Sequence, residues 1–544
     1  MASCPSVSSV SYLSAHKRSY SEVERDLSLN IMNTKENKIL IIDCGSQYTQ
    51  LIARRVRELG VYSEILFWDS PAEKFEEIYP SGIIISGGPR SVLDADAPSV
   101  SKSIIERGVP VLGICYGMQL LAHQLGGTVK KGEYAEYGRA NIDVLGGKLF
   151  TRMADEKKAQ VWMSHWDQVM ELPQGFKITA HSENGAIAGF ESPDGDIVAL
   201  QFHPEVAHTP KGMEILSAFL FDICKCTADW QLGNEWITRE IDKIRAKVAG
   251  GNVICGLSGG VDSTVSAVIT SKAVGDKLHC IFVDHGMLRK DEGKQVMDTY
   301  RSLSLNVHYV NAEERFLTAL DGVTEPEKKR KIIGELFIRV FEEEARKLGG
   351  ADWLLQGTIY PDVVESGHGG GGVLKSHHHV GGLPKDMKMQ LLEPLRYLFK
   401  DEVRAVGKVL GVEAKFLERH PFPGPGLAVR CLGELKKERL DILREADAIF
   451  IEEIRKFGLY NDIWQAFCAL LPVRSVGVVG DVRTYGETIA LRAVASIDAM
   501  TAEWVRLPYE LLDTVSRRIC NEVPQVNRVV LDVTSKPPAT IEWE

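Results

Sequence analysis

Two groups of residues on this 544-residue chain have types and spacing suited to covalent and phosphate chemistry. The first is Gly113-Ile114-Cys115-Tyr116-Gly117, which follows the apolar run Val109-Pro110-Val111-Leu112 and precedes residues of helical spacing. Cys115 therefore falls on a tight strand-to-helix turn, where flanking glycines relieve backbone crowding and the helix N-terminus favours the thiolate. Free cysteine is among the most buried residue types, so on the pentapeptide alone a structural role competes. His203-Pro204-Glu205 shifts the balance. An imidazole can take the thiol proton while a carboxylate two residues on orients the ring through its second nitrogen. Ser86-Gly87-Gly88-Pro89 adds backbone N–H groups able to face an oxyanion. The second group is Ser258-Gly259-Gly260-Val261-Asp262-Ser263, between the apolar strand Val253–Gly256 and a helix of small and apolar residues. Its glycines let N–H groups approach phosphate oxygens, the two serines add donors, and the helix dipole favours the anion. Asp262 would repel phosphate unless it meets Mg²⁺ or the helix amides. The loop lacks the Gly-Lys-Ser/Thr ending of a Walker loop, and a plain turn is the competing reading.

The elements around these groups repeat a strand, turn, helix order. Lys38–Asp43 is an apolar run ending at Cys44-Gly45-Ser46, and Tyr48–Leu59 has helical spacing up to Gly60. Gly82–Ser86 and Val109–Ile114 repeat the strand, and this unit closes near Cys226. An amphipathic helix is expected over Trp230–Val248, followed by strands at Asn252–Leu257, Lys277–Val283 and Ala351–Gln356. The expected fold is α/β, with two doubly wound α/β domains (38–227 and 228–426) followed by a smaller α+β dimerisation domain (427–544). Residues 1–36 read as a disordered tail, rich in serine with mixed charges. Gly367–Gly372 and Lys375-Ser376-His377-His378-His379 read as a mobile loop, and His420–Gly426 as a rigid, turn-rich hinge.

Composition narrows the function classes. Hydrophobic residues make up 44% and charged residues 25%, without an apolar run of membrane length, so no membrane span is expected. The formal charge of −10 argues against an extended basic face for nucleic acid. The ten cysteines lack disulfide or zinc spacing, which points to a reducing compartment. Glu22, Glu24 and Asp26 in the tail speak against a transit peptide, so a cytoplasmic location is expected.

Taken in order, Gly87-Gly88-Pro89, Gly113-Ile114-Cys115-Tyr116-Gly117 and His203-Pro204-Glu205 resemble the class I (triad) glutamine amidotransferases. That resemblance implies a thioester at Cys115, His203 as base, Glu205 orienting it, the Gly88 and Tyr116 amides at the oxyanion, and Gln119 near bound glutamine. Ser258–Ser263 resembles the PP-loop of the ATP pyrophosphatases, which implies ATP cleavage between the α- and β-phosphates with AMP transfer, and Val283–Gly286 near the adenosine. Over about residues 38–544, Glu327–Gly334, Gln356–Asp362, His420–Gly426, Gly480–Arg483 and Thr534–Glu544 resemble the glutamine-hydrolysing GMP synthetases. The resemblance implies glutamine, xanthosine monophosphate and ATP as substrates, Mg²⁺ on the phosphates, and a homodimer through the third unit. Arg330, Gln465, Lys536, Ile541 and Glu542 are implied at the xanthosine monophosphate. Asp362 and Glu365 are expected near the adenylation site or its metal, whose ligands stay open. Lys375 is expected on a lid closing over the phosphates. Two positions depart from the family pattern: His379 replaces an asparagine, and Trp166 follows Met163-Ser164-His165 in place of glycine. A different PP-loop adenylating enzyme would lack the C-terminal Lys-Pro-Pro segment. A nucleotide-sensing interaction protein would not need Cys115, His203, Glu205 and both loop serines.

Overall fold

The computed structural model describes residues 36–153, 156–366, 389–496 and 501–544. The N-terminal tail, Lys375 and His379 lie outside them, as does the side chain of Glu365. The chain divides after Gln231 into two compact units.

The first unit is built on β1 (Glu36–Asp43), β2 (Tyr62–Phe67), β3 (Pro80–Ile85), β4 (Val111–Ile114), β5 (Thr128–Val144), β6 (Lys158–Glu171), β7 (Lys177–Ser182), β8 (Ile187–Glu191) and β9 (Ile197–Leu200). They form one nine-stranded sheet in the order β2-β1-β3-β4-β9-β8-β7-β5-β6. From β2 to β9 the pairings are parallel, and from β9 to β6 antiparallel. Ile39, Leu40, Ile41 and Ile42 are all fully buried, so both faces of β1 are covered and its sequence is a continuous apolar run with no alternation. Two registers position the chemistry: Ile85 pairs with Gly113, and Ile114 pairs with Leu200. The chain therefore leaves β3, β4 and β9 at the same edge, the carboxyl end of three adjacent parallel strands, where α/β sheets open their ligand crevice.

The second unit carries β10 (Val253–Leu257), β11 (Leu278–Asp284), β12 (Val307–Asn311), β13 (Trp353–Leu355) and β14 (Gln390–Leu392) in a parallel sheet ordered β12-β11-β10-β13-β14. A second sheet follows, built on the long antiparallel pair β15 (Gln465–Val479) and β16 (Val482–Ala495). Beside β16 lie the short β17 (Glu503–Trp504) and the parallel β18 (Val526–Leu531). One apolar core joins the two sheets: Ile254, Ile281 and Phe341 belong to the same cluster as Leu440, Phe450, Leu491 and Val515. The helices Pro326–Lys347, Lys437–Lys456 and Tyr509–Glu522 supply much of that packing.

The helix expected from Trp230 begins at Asn234, behind an extended Gly233 (φ −94°, ψ −164°). Trp230 instead donates its N–H to the Gly60 carbonyl at 2.8 Å and sets its ring 4.7 Å from that of Tyr62. Aromatic burial there outweighs continuation of the helix. Among the described residues no helix is long and apolar enough to cross a membrane.

Candidate active site

Cys115 sits between β4 and the helix Tyr116–Gln124 with φ 53°, ψ −104°, a strained conformation for a residue with a side chain. The neighbouring glycines are required by space. A Cβ on Gly117 would lie 2.3 Å from the Ile85 carbonyl oxygen, and one on Gly113 would lie 2.6 Å from that of Gly117. The turn thus presses against β3 and aims the thiol at the sheet edge. Its Sγ is 3.6 Å from the Ser164 carbonyl oxygen and receives the Gln201 Nε2 donor at 3.7 Å.

His203 follows the end of β9, near enough to Cys115 for the thiol to influence its titration. Its Nδ1 lies 2.6 Å from Glu205 Oε1, and all three side chains are buried. The ring is held by its own backbone, which donates to the Trp162 carbonyl at 3.0 Å and accepts from Thr209 Oγ1 at 2.6 Å. Burial, the largest influence, pulls the imidazole pKa down. The Glu205 charge and the hydrogen bonds to Cys115 and Glu205 outweigh it and leave the pKa well above its ordinary value. A histidine so placed can accept a proton from a thiol in a water-poor setting. Among the described residues neither the Gly88 nor the Tyr116 amide N–H has an acceptor. Gly88 approaches Cys44 so closely that a Cβ would lie 2.8 Å from the Cys44 carbonyl oxygen. Gln119 donates from Nε2 to the Asp167 carbonyl oxygen at 2.8 Å and to Gln201 Oε1 at 3.2 Å. The structure thus brings Cys115, His203, Glu205 and Gln119 into one connected array, with Gly88 and Tyr116 beside it. Trp166 is 44% exposed beneath Lys131 Nζ, 4.8 Å from its ring, and takes no part in this array.

In the second unit, Ser258–Ser263 forms the turn from β10 into the helix Val261–Val274. Gly259 has φ +75°, and Ser258 Oγ lies 3.2 Å from Ser263 Oγ and accepts the Gly260 N–H at 3.3 Å. The two hydroxyls thereby tie the ends of the loop together at a helix N-terminus. Gly357 packs on the loop, for a Cβ there would meet Ser263 N at 2.9 Å. Asp262 bonds Lys400 Nζ through Oδ2, while its Oδ1 is buried without a hydrogen-bond partner. Asp362 lies in the first turn of the helix Tyr360–Ser366 and accepts the Ile359 N–H at 3.0 Å. Glu365 lies on the same helix.

The nucleotide candidates gather around the C-terminal segment. Gln465 Nε2 donates to Glu542 Oε1 at 2.8 Å and to the Pro421 carbonyl at 3.0 Å. Ile541 is buried, its carbonyl accepting from Arg492 Nε at 3.3 Å. Arg330 bonds the Glu544 main-chain oxygen, and Lys536 pairs through its backbone with Ala502 at 2.8 Å. Gln465 and Glu542 are thus joined directly and Arg330 reaches the same C-terminal segment at Glu544, while Ile541 and Lys536 lie on that segment bonded to Arg492 and Ala502.

Three participants escaped sequence reasoning. Arg430, fully buried, binds Glu542 through Nε at 3.0 Å and Nη2 at 2.8 Å and lies 4.1 Å over the Phe467 ring. Lys400 reaches Asp262, and Gln201 reaches the thiol. Arg430 carried a signal in the sequence, a lone cation inside Leu427-Ala428-Val429-Arg430-Cys431-Leu432. Lys400 and Gln201 carried none.

Residues 40–223 match the class-I glutamine amidotransferase family, residues 230–337 the NAD synthase family, and residues 452–543 the GMP synthase C-terminal domain. A glutamine-hydrolysing GMP synthase of Aquifex aeolicus is 57% identical over 507 residues, spanning 93% of this chain and 99% of the relative. Those of Symbiobacterium thermophilum and Carboxydothermus hydrogenoformans are each 56% identical, over 94% and 93% of this chain and 100% of each relative. By this likeness along nearly its whole length, the chain belongs to the glutamine-hydrolysing GMP synthase family.

Proposed function

We propose that the chain aminates xanthosine monophosphate to GMP, using ATP and ammonia released from glutamine. The observation that carries this reading is the buried Cys115–His203–Glu205 array on the same chain as the Ser258–Ser263 loop. At the first site Cys115 attacks the glutamine amide carbon while His203 takes the thiol proton. The Gly88 and Tyr116 amides receive the oxyanion, and His203 returns the proton to the departing ammonia. Water then releases glutamate from the thioester. At the second site the 2-oxygen of xanthosine monophosphate attacks the α-phosphate of ATP, pyrophosphate leaves, and ammonia displaces AMP to give GMP. Ser258, Gly259, Gly260, Val261, Asp262 and Ser263 grip the pyrophosphate. Asp362, Glu365 and Lys375 serve adenylation, and Arg330, Gln465, Lys536, Ile541 and Glu542 hold the acceptor nucleotide.

The donor set suits Mg²⁺. Asp262 offers a buried oxygen with no partner, and no cluster of three metal-binding side chains occurs among the described residues. Mg²⁺ commonly sits on one carboxylate together with substrate phosphates, whose charge it neutralises. In this reading 38–227 hydrolyses glutamine, 228–426 binds ATP and 427–544 serves dimerisation and nucleotide binding, with Arg330 reaching the C-terminal segment from the middle part. A homodimer through the last part is supported by exposed apolar residues on β15 and β16. Val478 is 72%, Val482 63% and Tyr485 65% exposed on that hairpin. Replacing Val478 and Tyr485 together with glutamate is expected to shift the sedimenting species toward monomer; an unchanged species refutes that interface. The free thiols of the described cysteines support a reducing, cytoplasmic setting.

The test is Cys115→Ala. Glutamine-supported GMP formation is expected to vanish while ammonia-supported formation persists and pyrophosphate release still requires xanthosine monophosphate. Activity with both nitrogen sources would overturn the assignment of the first site, and indifference to the acceptor that of the second.

A further inference from the structure

The catalytic array does not use a second buried histidine–carboxylate pair, His165 and Glu136, which lie directly opposite each other in the β5–β6 register. We infer that His165, held by Glu136, is a positioning residue for glutamine: it fixes the Asp167 carbonyl and, through it, the side chain of Gln119. The inference rests on the reading of Cys115 as the glutaminase nucleophile. His165 Nδ1 lies 3.0 Å from the Asp167 carbonyl oxygen and Nε2 lies 3.0 Å from Glu136 Oε2. A carbonyl oxygen and a carboxylate thus face the two ring nitrogens, and the ring is clamped between β5 and the residue two positions on. Glu136 is the carboxylate that holds the ring at Nε2. Its other oxygen accepts from Ser182 Oγ at 2.8 Å and Asn184 Nδ2 at 2.9 Å, anchoring the pair to β7 and the turn beyond it. The hydrogen bond from His165 holds the Glu136 carboxyl below the usual carboxylate range against burial, with Ser182 and Asn184 adding to the effect.

From this anchor a chain of contacts runs to the nucleophile. The Asp167 oxygen that faces His165 also accepts from Gln119 Nε2 at 2.8 Å, and the same nitrogen donates to Gln201 Oε1 at 3.2 Å. Gln201 in turn donates to Cys115 Sγ at 3.7 Å, and the Ser164 carbonyl next to His165 lies 3.6 Å from that sulfur. With both amide hydrogens of Gln119 engaged, its carbonyl oxygen is the group left to accept from an N–H of the substrate. A buried polar histidine–carboxylate pair is a poor way to gain stability alone, since apolar replacements commonly do as well or better. Its use here fits an orienting function on the wall that glutamine must contact.

The experiment compares His165→Ala, His165→Asn, Glu136→Gln and Glu136→Ala in the full-length chain. Glutamine KM and kcat, ammonia-supported GMP formation and alkylation of Cys115 by iodoacetamide are measured for each. His165→Ala is expected to raise the glutamine KM about tenfold with a smaller fall in kcat, as for the loss of a binding contact. Iodoacetamide needs the thiol and its base but not the glutamine wall, so its rate is expected to hold, as is the ammonia-supported rate. His165→Asn places an amide N–H near the former Nδ1 and is expected to recover part of the KM. Glu136→Gln lets a neutral ring keep its proton at Nδ1 by accepting an amide hydrogen at Nε2. It is expected to stay within about twofold of the parent, whereas Glu136→Ala follows His165→Ala. An unchanged KM in His165→Ala, equal KM in the Ala and Asn variants, or a parallel fall in ammonia-supported activity would each overturn the inference. If Cys115→Ala retained glutaminase activity, the triad reading itself would fail, an outcome separate from these.

Discussion

Glu205→Gln is the sharpest probe of the glutaminase array, because it changes charge with almost no change of shape. In the parent, Glu205 Oε1 accepts from His203 Nδ1 across 2.6 Å, and the Oε2 slot is buried without a partner. Glutamine can enter in two orientations, and both are unfavourable. If its oxygen faces Nδ1, its two N–H donors occupy the unpartnered Oε2 slot, at a cost of about 1–3 kcal/mol. If its nitrogen faces Nδ1, the ring must carry its proton on Nε2 and is in the wrong tautomer to accept from Cys115. Loss of a charge-assisted hydrogen bond to the imidazolium removes about 1.5–3 kcal/mol, a fall of about 10- to 150-fold in glutamine-supported turnover. The assay is glutamate release beside ammonia-supported GMP formation, which is expected to be unchanged. The pH dependence follows from the same contacts. Burial is the largest influence on His203 and pulls its pKa down, so without the Glu205 charge the ring loses its proton at lower pH and alkylation of Cys115 slows near neutrality. For stability, the raised folded pKa of His203 contributes fully below its unfolded value near 6.5 and is lost as pH rises through the folded value. The stability gap between parent and variant is therefore largest in mild acid and narrows as pH rises. A fall of less than about threefold, or an equal fall with ammonia, would refute the reasoning.

Two further perturbations address the second unit. Lys400→Ala removes the lysine partner of the Asp262 carboxylate within the phosphate loop. ATP-dependent pyrophosphate release is expected to fall at least about tenfold while glutaminase activity holds; an unchanged rate would remove Lys400 from the site. Glu542→Ala leaves the fully buried Arg430 without its bidentate partner. A loss of about 3–5 kcal/mol is expected, read as a lowered thermal transition, and a shift within error would refute the dependence of the buried guanidinium on this partner.

The legibility of each part depended on how local its cause was. Glycines around Cys115 could be read because the crowding they relieve comes from the adjoining turn and from β3, and the strand runs of β1, β3 and β4 could be read because burial on both faces demands unbroken apolar sequence. Lys400 and Asp262 are 138 residues apart, and a lysine opening a helix after Leu398-Phe399 looks like any solvated first turn. Glu136 and His165 lie on strands of 17 and 14 residues whose pairing register shifts between Lys131 and Glu136. Period-two reading loses its phase at such an irregularity, which hid the pair. The helix start at Asn234 was missed for a similar reason, since the Trp230 contact with Gly60 and Tyr62 is tertiary.

The same distinction explains why the triad could be assembled at all from residues 88 positions apart. Neither Cys115 nor His203 specifies the other's position; the parallel register does, by ending β4 at Ile114 opposite Leu200 of β9. Gln201 is the first residue beyond that register, and it reaches the sulfur, while His203, two residues on, meets Glu205, which follows within the same turn. A one-residue slip between β4 and β9 would carry Gln201 and His203 to the opposite face of the sheet and disconnect both from the thiol. The apolar residues of β4 and β9 therefore serve the site as much as the core, since their burial holds the register that aligns Cys115 with Gln201 and His203.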